Sequence, residues 1–457
     1  MGVLLRVGRW NRCSGVAGVA LWMLLVRSDA APVSYTREVA PILDRSCAAC
    51  HQPVKLKGGL DLTTFAALSN GGKHGPALVA RAPATSKVIT QVKGLKPEMP
   101  PEGKPLTVPE VATLERWIAE GAVDDTPATS ARAAGPVRYD SRPVITSLAW
   151  SPDGATLAVP GNGEVFLVSV DGYERRFRLR GAAARVESVQ FSPDGRILAV
   201  AGGTPSRFGE LQFWKIATGE LERSIRVGGD SVFGVNWSPD GTRVAVGGAD
   251  RTVRVFEVSS GLELVRFDQH TDWVFGACFT LDGTRVISAS RDKTMKLIDA
   301  ASGQLIDEIC RPNEPLLGIL RVPHEDVVAG LGGEYRIRVY KALAKPDNND
   351  PNADPNSVRE YDGFEGGMTA AAYSPDGKWI ATAGATAGEV RVHDAKSGGR
   401  KATLRDHEGV VYGIAFSPDG MRLATAGFEG LVRVFQWEKE HLTAVFAPAG
   451  EIVDAAR

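Results

Sequence analysis

A small all-α domain followed by an all-β propeller of seven blades is the architecture this 457-residue sequence predicts. Three observations lead there. The chain is too long for one ordinary domain. Residues 35–125 carry short apolar stretches at helical spacing. Beyond them a Ser-Pro-Asp-Gly tetrapeptide returns every 41 to 46 residues between alternating strands, which is the period of a four-stranded blade.

Composition narrows the function classes. The chain is 43% hydrophobic and 23% charged, with a formal net charge of -1, as expected of packed globular protein. Nucleic-acid binding needs a clustered basic surface, so no nucleic-acid partner is expected.

The first 30 residues read as a secretory signal. Arg6, Arg9 and Arg12 precede an apolar run from Gly15 to Val26, and Ser28-Asp29-Ala30 supplies small residues at a cleavage point after Ala30. That run is shorter than the roughly 20 residues a bilayer span needs. An uncleaved anchor is the competing reading, and no later stretch is expected to span a membrane. The mature protein is expected to be periplasmic or otherwise exported. Cys13 precedes the apolar run and leaves with the signal. The expected boundaries are the signal at 1–30, the helical domain at 35–125, a linker at 126–137 and the propeller at 138–449.

Cys47-Ala48-Ala49-Cys50-His51 reads C-x-x-C-H, the c-type haem attachment pattern. Each thiol adds to one haem vinyl group and the adjacent imidazole takes an axial position on the iron, so Cys47 and Cys50 are the expected covalent sites for one haem c and His51 the proximal ligand. A zinc site would want a fourth ligand nearby. A redox disulfide would want a strand–helix setting that the flanks do not provide. For the distal ligand the one methionine between signal and propeller is Met99, in Pro97-Glu98-Met99-Pro100-Pro101. The prolines stiffen this segment into an extended loop able to hold a thioether at the iron. Two other readings stand beside it: Met99 as a core filler, and His74 as ligand in place of a solvated loop histidine. A Met ligand raises the potential of the iron, as suits an electron carrier.

The flanks supply helices. Val39, Ile42 and Leu43 form an apolar face before Cys47, with Pro41 kinking or restarting the helix. Thr107-x-x-Glu110 is a capping box ahead of Val111, Leu114, Trp117 and Ile118, with Trp117 expected in the core or at a haem edge. Val39-x-Pro41-Ile42-Leu43, the C-x-x-C-H run, Gly58-Gly59-Leu60-x-Leu62, Met99-Pro100-Pro101 and Trp117-Ile118 occur in one order. Together they resemble the planctomycete-type cytochrome c domain over roughly residues 35–125. The resemblance implies a small class I cytochrome c-like fold, with Cys47, Cys50 and His51 at haem attachment and Met99 as distal ligand. His74 lies on no motif of that family.

The linker is rich in Thr, Pro, Ala, Ser and Gly. As a coil of about 14 residues it reaches about 20 Å. After it Ser-Pro-Asp-Gly begins at Ser151, Ser192, Ser238, Ser374 and Ser417, with Thr280-Leu281-Asp282-Gly283 as a variant. The 94-residue gap before Ser374 hides a further repeat at Pro323-His324-Glu325-Asp326, giving seven. Asp-Gly closes a hairpin between strands one and two, and Thr218-Gly219, Ser260-Gly261, Ser302-Gly303 and Ser397-Gly398 close the one between strands three and four. Ring closure then hides the sheet edges that single blades would expose. The repeats resemble WD repeats with an eroded signature dipeptide: Trp214-Lys215, Phe256-Glu257, Ile298-Asp299 and His393-Asp394. The bracing His and Asp of that family match His270 and Asp292 in the fourth blade. In the seventh, His407 faces Glu429 in place of Asp. These pairs are expected to be structural. Ala201-Gly202-Gly203-Thr204-Pro205 and Asp272-Trp273-Val274 also look like propellers that follow this cytochrome domain in planctomycete-type proteins.

Cys278 and Cys310 fall on the first and fourth strands of blade 4, three strand spacings apart and beyond disulfide reach. The loop at 346–356 is rich in oxygen ligands, and calcium at Asp347, Asp350 and Asp354 competes there with a hydrated insertion. The expected role is single-electron transfer by the haem, as a carrier more than an enzyme. The propeller would dock it to a redox protein partner, a dehydrogenase or a membrane electron-transport complex. A haem-based redox or gas sensor and a propeller-hosted oxidoreductase are the alternatives, the last weakened by the absence of any catalytic motif in the loops.

Overall fold

The computed structural model describes residues 32–48, 50–51, 57–62, 65–94, 97–101, 104–124, 139, 141–310, 312, 314–332, 336–342, 356–385 and 388–450. The signal at 1–30, the linker at 126–137 and the calcium candidates Asp347, Asp350 and Asp354 lie outside them.

Short helices build the N-terminal unit. A wide helical turn over Tyr35–Val39, capped by the Ser34 side chain on the Arg37 N–H, runs into α1 (Ala40–Ser46). Pro41 sits in the first turn of α1, where its missing N–H costs nothing, so it restarts the helix as expected. Next come α2 (Phe65–Asn70), α3 (Lys87–Thr90) and α4 (Val108–Ala119). At the head of α4 the Thr107 N–H donates to Glu110 Oε2 at 2.7 Å, the return half of a capping box. The hydrogen bond holds the Glu110 carboxyl below its ordinary range. Val39, Leu43, Leu62, Leu68, Ile89, Leu114, Trp117 and Ile118 form one buried core. Within it Tyr35 and Phe65 meet at 5.3 Å and Tyr35 and Trp117 at 5.4 Å between ring centroids.

Seven four-stranded antiparallel sheets follow, each made of four consecutive strands. They span 149–180, 185–228, 232–267, 274–310, 316–362, 368–404 and 411–446. First strands of neighbouring blades pack on one another and line the centre of the ring. Middle strands, sandwiched between blades, are buried along both faces, as in Thr156–Pro160. Outermost strands alternate, as in His441–Phe446.

The Ser-Pro-Asp-Gly turn is a closed hydrogen-bond circuit. Ser238 Oγ donates to Asp240 Oδ1 at 2.6 Å, Asp240 Oδ1 accepts the Thr242 N–H at 3.0 Å, and Ser238 Oγ accepts the Arg243 N–H at 2.9 Å. The Ser238 hydroxyl holds the Asp240 carboxyl down at about 2, and Thr280 does the same for Asp282. The glycine of the turn takes a left-handed φ near 70° and packs on the proline of the preceding blade. A Cβ on Gly195 would stand 3.3 Å from Pro152, and one on Gly154 3.6 Å from Pro418. The latter contact joins blade 1 to blade 7.

Among the described residues no strand crosses that seam, because blade 7 is wholly C-terminal in sequence and blade 1 wholly N-terminal. Side-chain and backbone contacts close it: Trp150 Nε1 to the Ala415 carbonyl at 3.1 Å, Ile145 N–H to the Gly427 carbonyl at 3.1 Å, Arg175 to the Pro448 carbonyl at 3.1 Å, and a Tyr173–Phe446 stack at 5.0 Å.

Blade 4 carries the expected brace. His270 Nδ1 lies 2.8 Å from Asp292 Oδ2 and His270 Nε2 2.7 Å from Ser288 Oγ. Despite burial, hydrogen bonds from His270, Thr294 and the Thr271 N–H keep the Asp292 carboxyl far below its usual range. Other blades fill the same space from the third strand. In blade 3 Arg254 donates to the Val227 carbonyl and, at 2.5 Å, to Asp250. In blade 6 Arg391 lies 3.9 Å from the Phe364 ring centroid. Cys278 and Cys310 sit on the first and fourth strands of blade 4, buried and outside any disulfide, and burial pushes the Cys278 thiol up to about 12.

Candidate functional site: the Cys-x-x-Cys-His turn

Helix α1 delivers the cysteine segment. Burial of Val39, Ile42 and Leu43 fixes the roll of the helix, and the Cys47 N–H closes its last turn on the Leu43 carbonyl at 2.8 Å. The Cys47 carbonyl then accepts the N–H groups of both Cys50 and His51, each at 3.1 Å. One tight turn thus holds both thiols and the imidazole. Burial, with Cys50 adding to it, pushes the Cys47 thiol up to about 11. A thiol so placed is not poised as a free thiolate nucleophile.

Behind the turn the Leu62 N–H donates to the His51 carbonyl at 2.9 Å and the Lys57 N–H to that of Cys50 at 3.2 Å. The Gly58-Gly59 pair lets the chain fold back: both residues have φ near 65°, the Lys73 N–H reaches the Gly58 carbonyl at 2.8 Å, and a Cβ on Gly59 would stand 2.7 Å from Lys73 Cγ. No other residue type fits that approach comfortably.

Met99 is half-buried and packs against the core that also receives Cys47. Its N–H donates to the Gln91 carbonyl at 2.9 Å, which ties the proline-stiffened loop to the end of α3. His74 is exposed, within a turn where Gly72 and Gly75 pair. Trp117 is buried in the core with its Nε1 donating to the Val123 carbonyl at 3.0 Å.

His51 Nδ1 is buried and has no hydrogen-bond partner among the described residues. A buried orphan nitrogen is costly, and it fits an imidazole whose ring is oriented by a bound group. Among the described residues no three His, Cys, Asp or Glu side chains converge as metal ligands do, so the two thiols and the imidazole are not gathered around one point as zinc ligands would be. The two thiols and the imidazole carried on one turn fit a haem group.

The mouth of the propeller is set by β-bulges, one per first strand in six blades, that free Glu187, Phe233, Phe275, Leu317, Thr369 and Tyr412 from regular pairing. Phe233 and Phe275 touch at 4.9 Å. Glu187 is the one titratable carboxyl of the six; burial raises it, and Arg185 pairs with it at 3.3 Å. No helix among the described residues is long and apolar enough to cross a membrane.

Residues 47–103 match the family described as Planctomycete cytochrome C, and residues 219–257, 261–299, 355–394 and 398–436 match the WD domain, G-beta repeat. The chain is thus similar to the planctomycete cytochrome C family over the first of these segments and to WD repeats over the others, which lie on a seven-bladed propeller. It is similar to an uncharacterized WD repeat-containing protein of Synechocystis sp., 32% identical over 120 residues, 26% of this chain and 33% of that one. It is also similar to the WD repeat-containing protein VIP3 of Arabidopsis thaliana, 30% identical over 140 residues, 28% of this chain and 43% of the relative. The chain thus spans less than half the length of these two curated relatives.

The C-x-x-C-H spacing, Met99 and the His270–Asp292 pair were all legible as motifs. Sequence reasoning missed the Gln91 carbonyl that anchors Met99 and the aromatic contact of Tyr35 and Phe65 with Trp117. The first is a backbone atom and the second joins residues far apart in the chain.

Proposed function

We propose that the chain is an exported single-haem c-type cytochrome that transfers electrons, with the propeller as its docking scaffold for a redox protein partner. The observation that carries this reading is the single turn in which the Cys47 carbonyl accepts the N–H groups of both Cys50 and His51. Cys47 and Cys50 would attach one haem c in a small class I cytochrome c-like domain. His51 would take the proximal position and Met99 the distal one. Bound there, haem supplies one-electron redox chemistry at iron, with a potential raised by a thioether ligand. The chain's own part is to hold the ligands. The turn fixes the imidazole, and the Gln91 carbonyl holds the Met99 backbone. The core around Trp117 keeps water from one side of the domain.

The exposure of His74 supports its reading as a solvated loop residue. The leader supports export to the periplasm or an equivalent compartment. A propeller surface built from loops on a rigid ring supports protein docking. The bulged residues at the mouth offer one carboxylate and no nucleophile–base pair, which favours docking over catalysis.

The test is a reduced-minus-oxidised spectrum of the full chain expressed with haem-attachment machinery, beside Cys47→Ala/Cys50→Ala. A covalent c-type spectrum in the parent alone is expected. Its absence from a folded parent would remove the haem reading, and a specific redox protein retained by the propeller from periplasm would identify the partner.

A further inference from the structure

Every blade skips one residue where its fourth strand pairs with its third, and always at the same place. In blade 4 Leu297 pairs with Asp307 and Ile298 with Leu305, which leaves Ile306 as the extra residue of a β-bulge. The same skip frees Leu264 in blade 3 and Val358 in blade 5. In blades 1, 2, 6 and 7 it frees Arg176, Glu222, Lys401 and Thr443. The fourth strand is the outer edge of its blade, so the bulges mark equivalent points around the rim of the ring. Four of them carry the polar side chains expected at an exposed edge. Three in a row carry aliphatic ones, and solvent reaches these: Leu264 is 47% exposed, Ile306 48% and Val358 38%.

Contacts between the blades join the three positions into one surface. A Cβ on Gly303, in the turn just before Leu305 and Ile306, would stand 2.9 Å from Cγ1 of Val265, the neighbour of Leu264. On the other side Asn356 Nδ2, two residues before Val358, donates to the Ile309 carbonyl of blade 4 at 2.8 Å. Leu262 and Leu305, both exposed, widen the band. Single exposed leucines need no explanation, but a contiguous apolar patch framed by polar residues marks a contact.

The frame of the band selects what covers it. A bulge on each outer strand interrupts the ladder that an added strand would need, so the occupant meets this rim through side chains. Charges beside the band are paired at home: Arg266 with Glu263 at 2.7 Å and Arg338 with Glu360 at 3.0 Å. A strongly acidic or basic partner gains little from such a balanced frame. A second copy, with a formal net charge of -1, approaches it without appreciable repulsion. The order of the residues points the same way. Ile306 lies on the middle blade with one aliphatic bulge on either side. A two-fold axis through Ile306 would lay Leu264 of each copy on Val358 of the other, the self-complementarity that an isologous contact requires.

We propose that this band is the centre of a symmetric contact between two copies of the chain, with Ile306 on the two-fold axis. A specific contact needs about 800 Å² from each partner. The aliphatic bulges form its apolar core and the paired charges its rim. Pairing through the rim leaves the mouth of each ring open, and it does not depend on what the cysteine turn holds.

Sedimentation equilibrium of the full chain tests it, with melting curves to show that each variant is folded. The parent is expected to have the mass of two chains and Ile306→Asp that of one, at an unchanged melting temperature. Thr443→Asp, at the same bulge on the far side of the ring, is expected to keep the double mass. Mild oxidation of Ile306→Cys is expected to give a disulfide-linked pair of chains on a non-reducing gel, above the background set by the parent's own cysteines. Thr443→Cys is expected to stay at that background. A parent that sediments as one chain overturns the proposal, whether or not it is retained by another protein or by vesicles of neutral phospholipid. Equal masses for folded Ile306→Asp and the parent also overturn it, as does cross-linking of Thr443→Cys as efficient as that of Ile306→Cys.

Discussion

In blade 7 the guanidinium of Arg433 donates to Nδ1 of His407 at 3.0 Å while pairing with Glu429 at 2.6 Å. His407 Nε2 faces Thr425 Oγ1 at 2.7 Å. Glu429 therefore braces the blade through the arginine, and the histidine is an acceptor.

That arrangement fixes a pH dependence. Burial, then the charge of Arg433, lowers His407 to about 4, against an ordinary 6.5. The folded state resists a proton that the unfolded chain accepts, so stability is complete above about pH 6.5 and is lost as pH falls towards 4, by at most about 3 kcal/mol. Thermal melts across this window are expected to fall less steeply for His407→Gln than for the parent.

In blade 4 the histidine keeps an aspartate as its partner. Asp292→Ala leaves His270 and Thr294 without their shared acceptor in a buried setting and is expected to cost about 2–4 kcal/mol. Asp292→Asn retains an acceptor and loses less. Denaturant titration of the two variants checks the order.

Gly181 is needed for a contact, with no demand on its φ. A Cβ there would overlap Gln212 Nε2. Gln212 cannot swing aside, since it donates to Glu210 at 2.8 Å and accepts from Trp214 Nε1 at 2.7 Å. Gly181→Ala is expected to destabilise by about 1–3 kcal/mol, and Gly181→Ala/Gln212→Ala to recover part of it in melting temperature.

For the haem reading, Met99→Ala is expected to keep the covalent haem, lose the near-infrared Met-to-iron band and lower the reduction potential. His74→Ala is expected to leave both unchanged. Retention of the band in Met99→Ala would exclude Met99 as distal ligand.

The blade count was legible because Ser, Asp and Gly each do local work in the turn, so the tetrapeptide marks each blade directly. Even the hidden repeat was found, although its chemistry differs: the left-handed residue is His324, and Glu325 pairs with Arg359 of the same blade. The cysteine turn was legible for the same reason, its contacts lying within five residues. What filled the brace in blades 2, 3 and 6 was not. Gln212, Arg254 and Arg391 meet residues 27 to 31 positions earlier in the chain, and only the closed sheet brings those together.

The seam between blades 1 and 7 has a mechanical meaning. The N-terminal segment enters blade 1 beside the place where the ring is joined by side chains and single hydrogen bonds rather than by a common strand. A pull transmitted from that segment is borne first by Ile145, Trp150 and Tyr173 against blade 7. The wheel would part there and peel blade by blade, and a covalent staple across the joint would resist it where added core packing elsewhere would not.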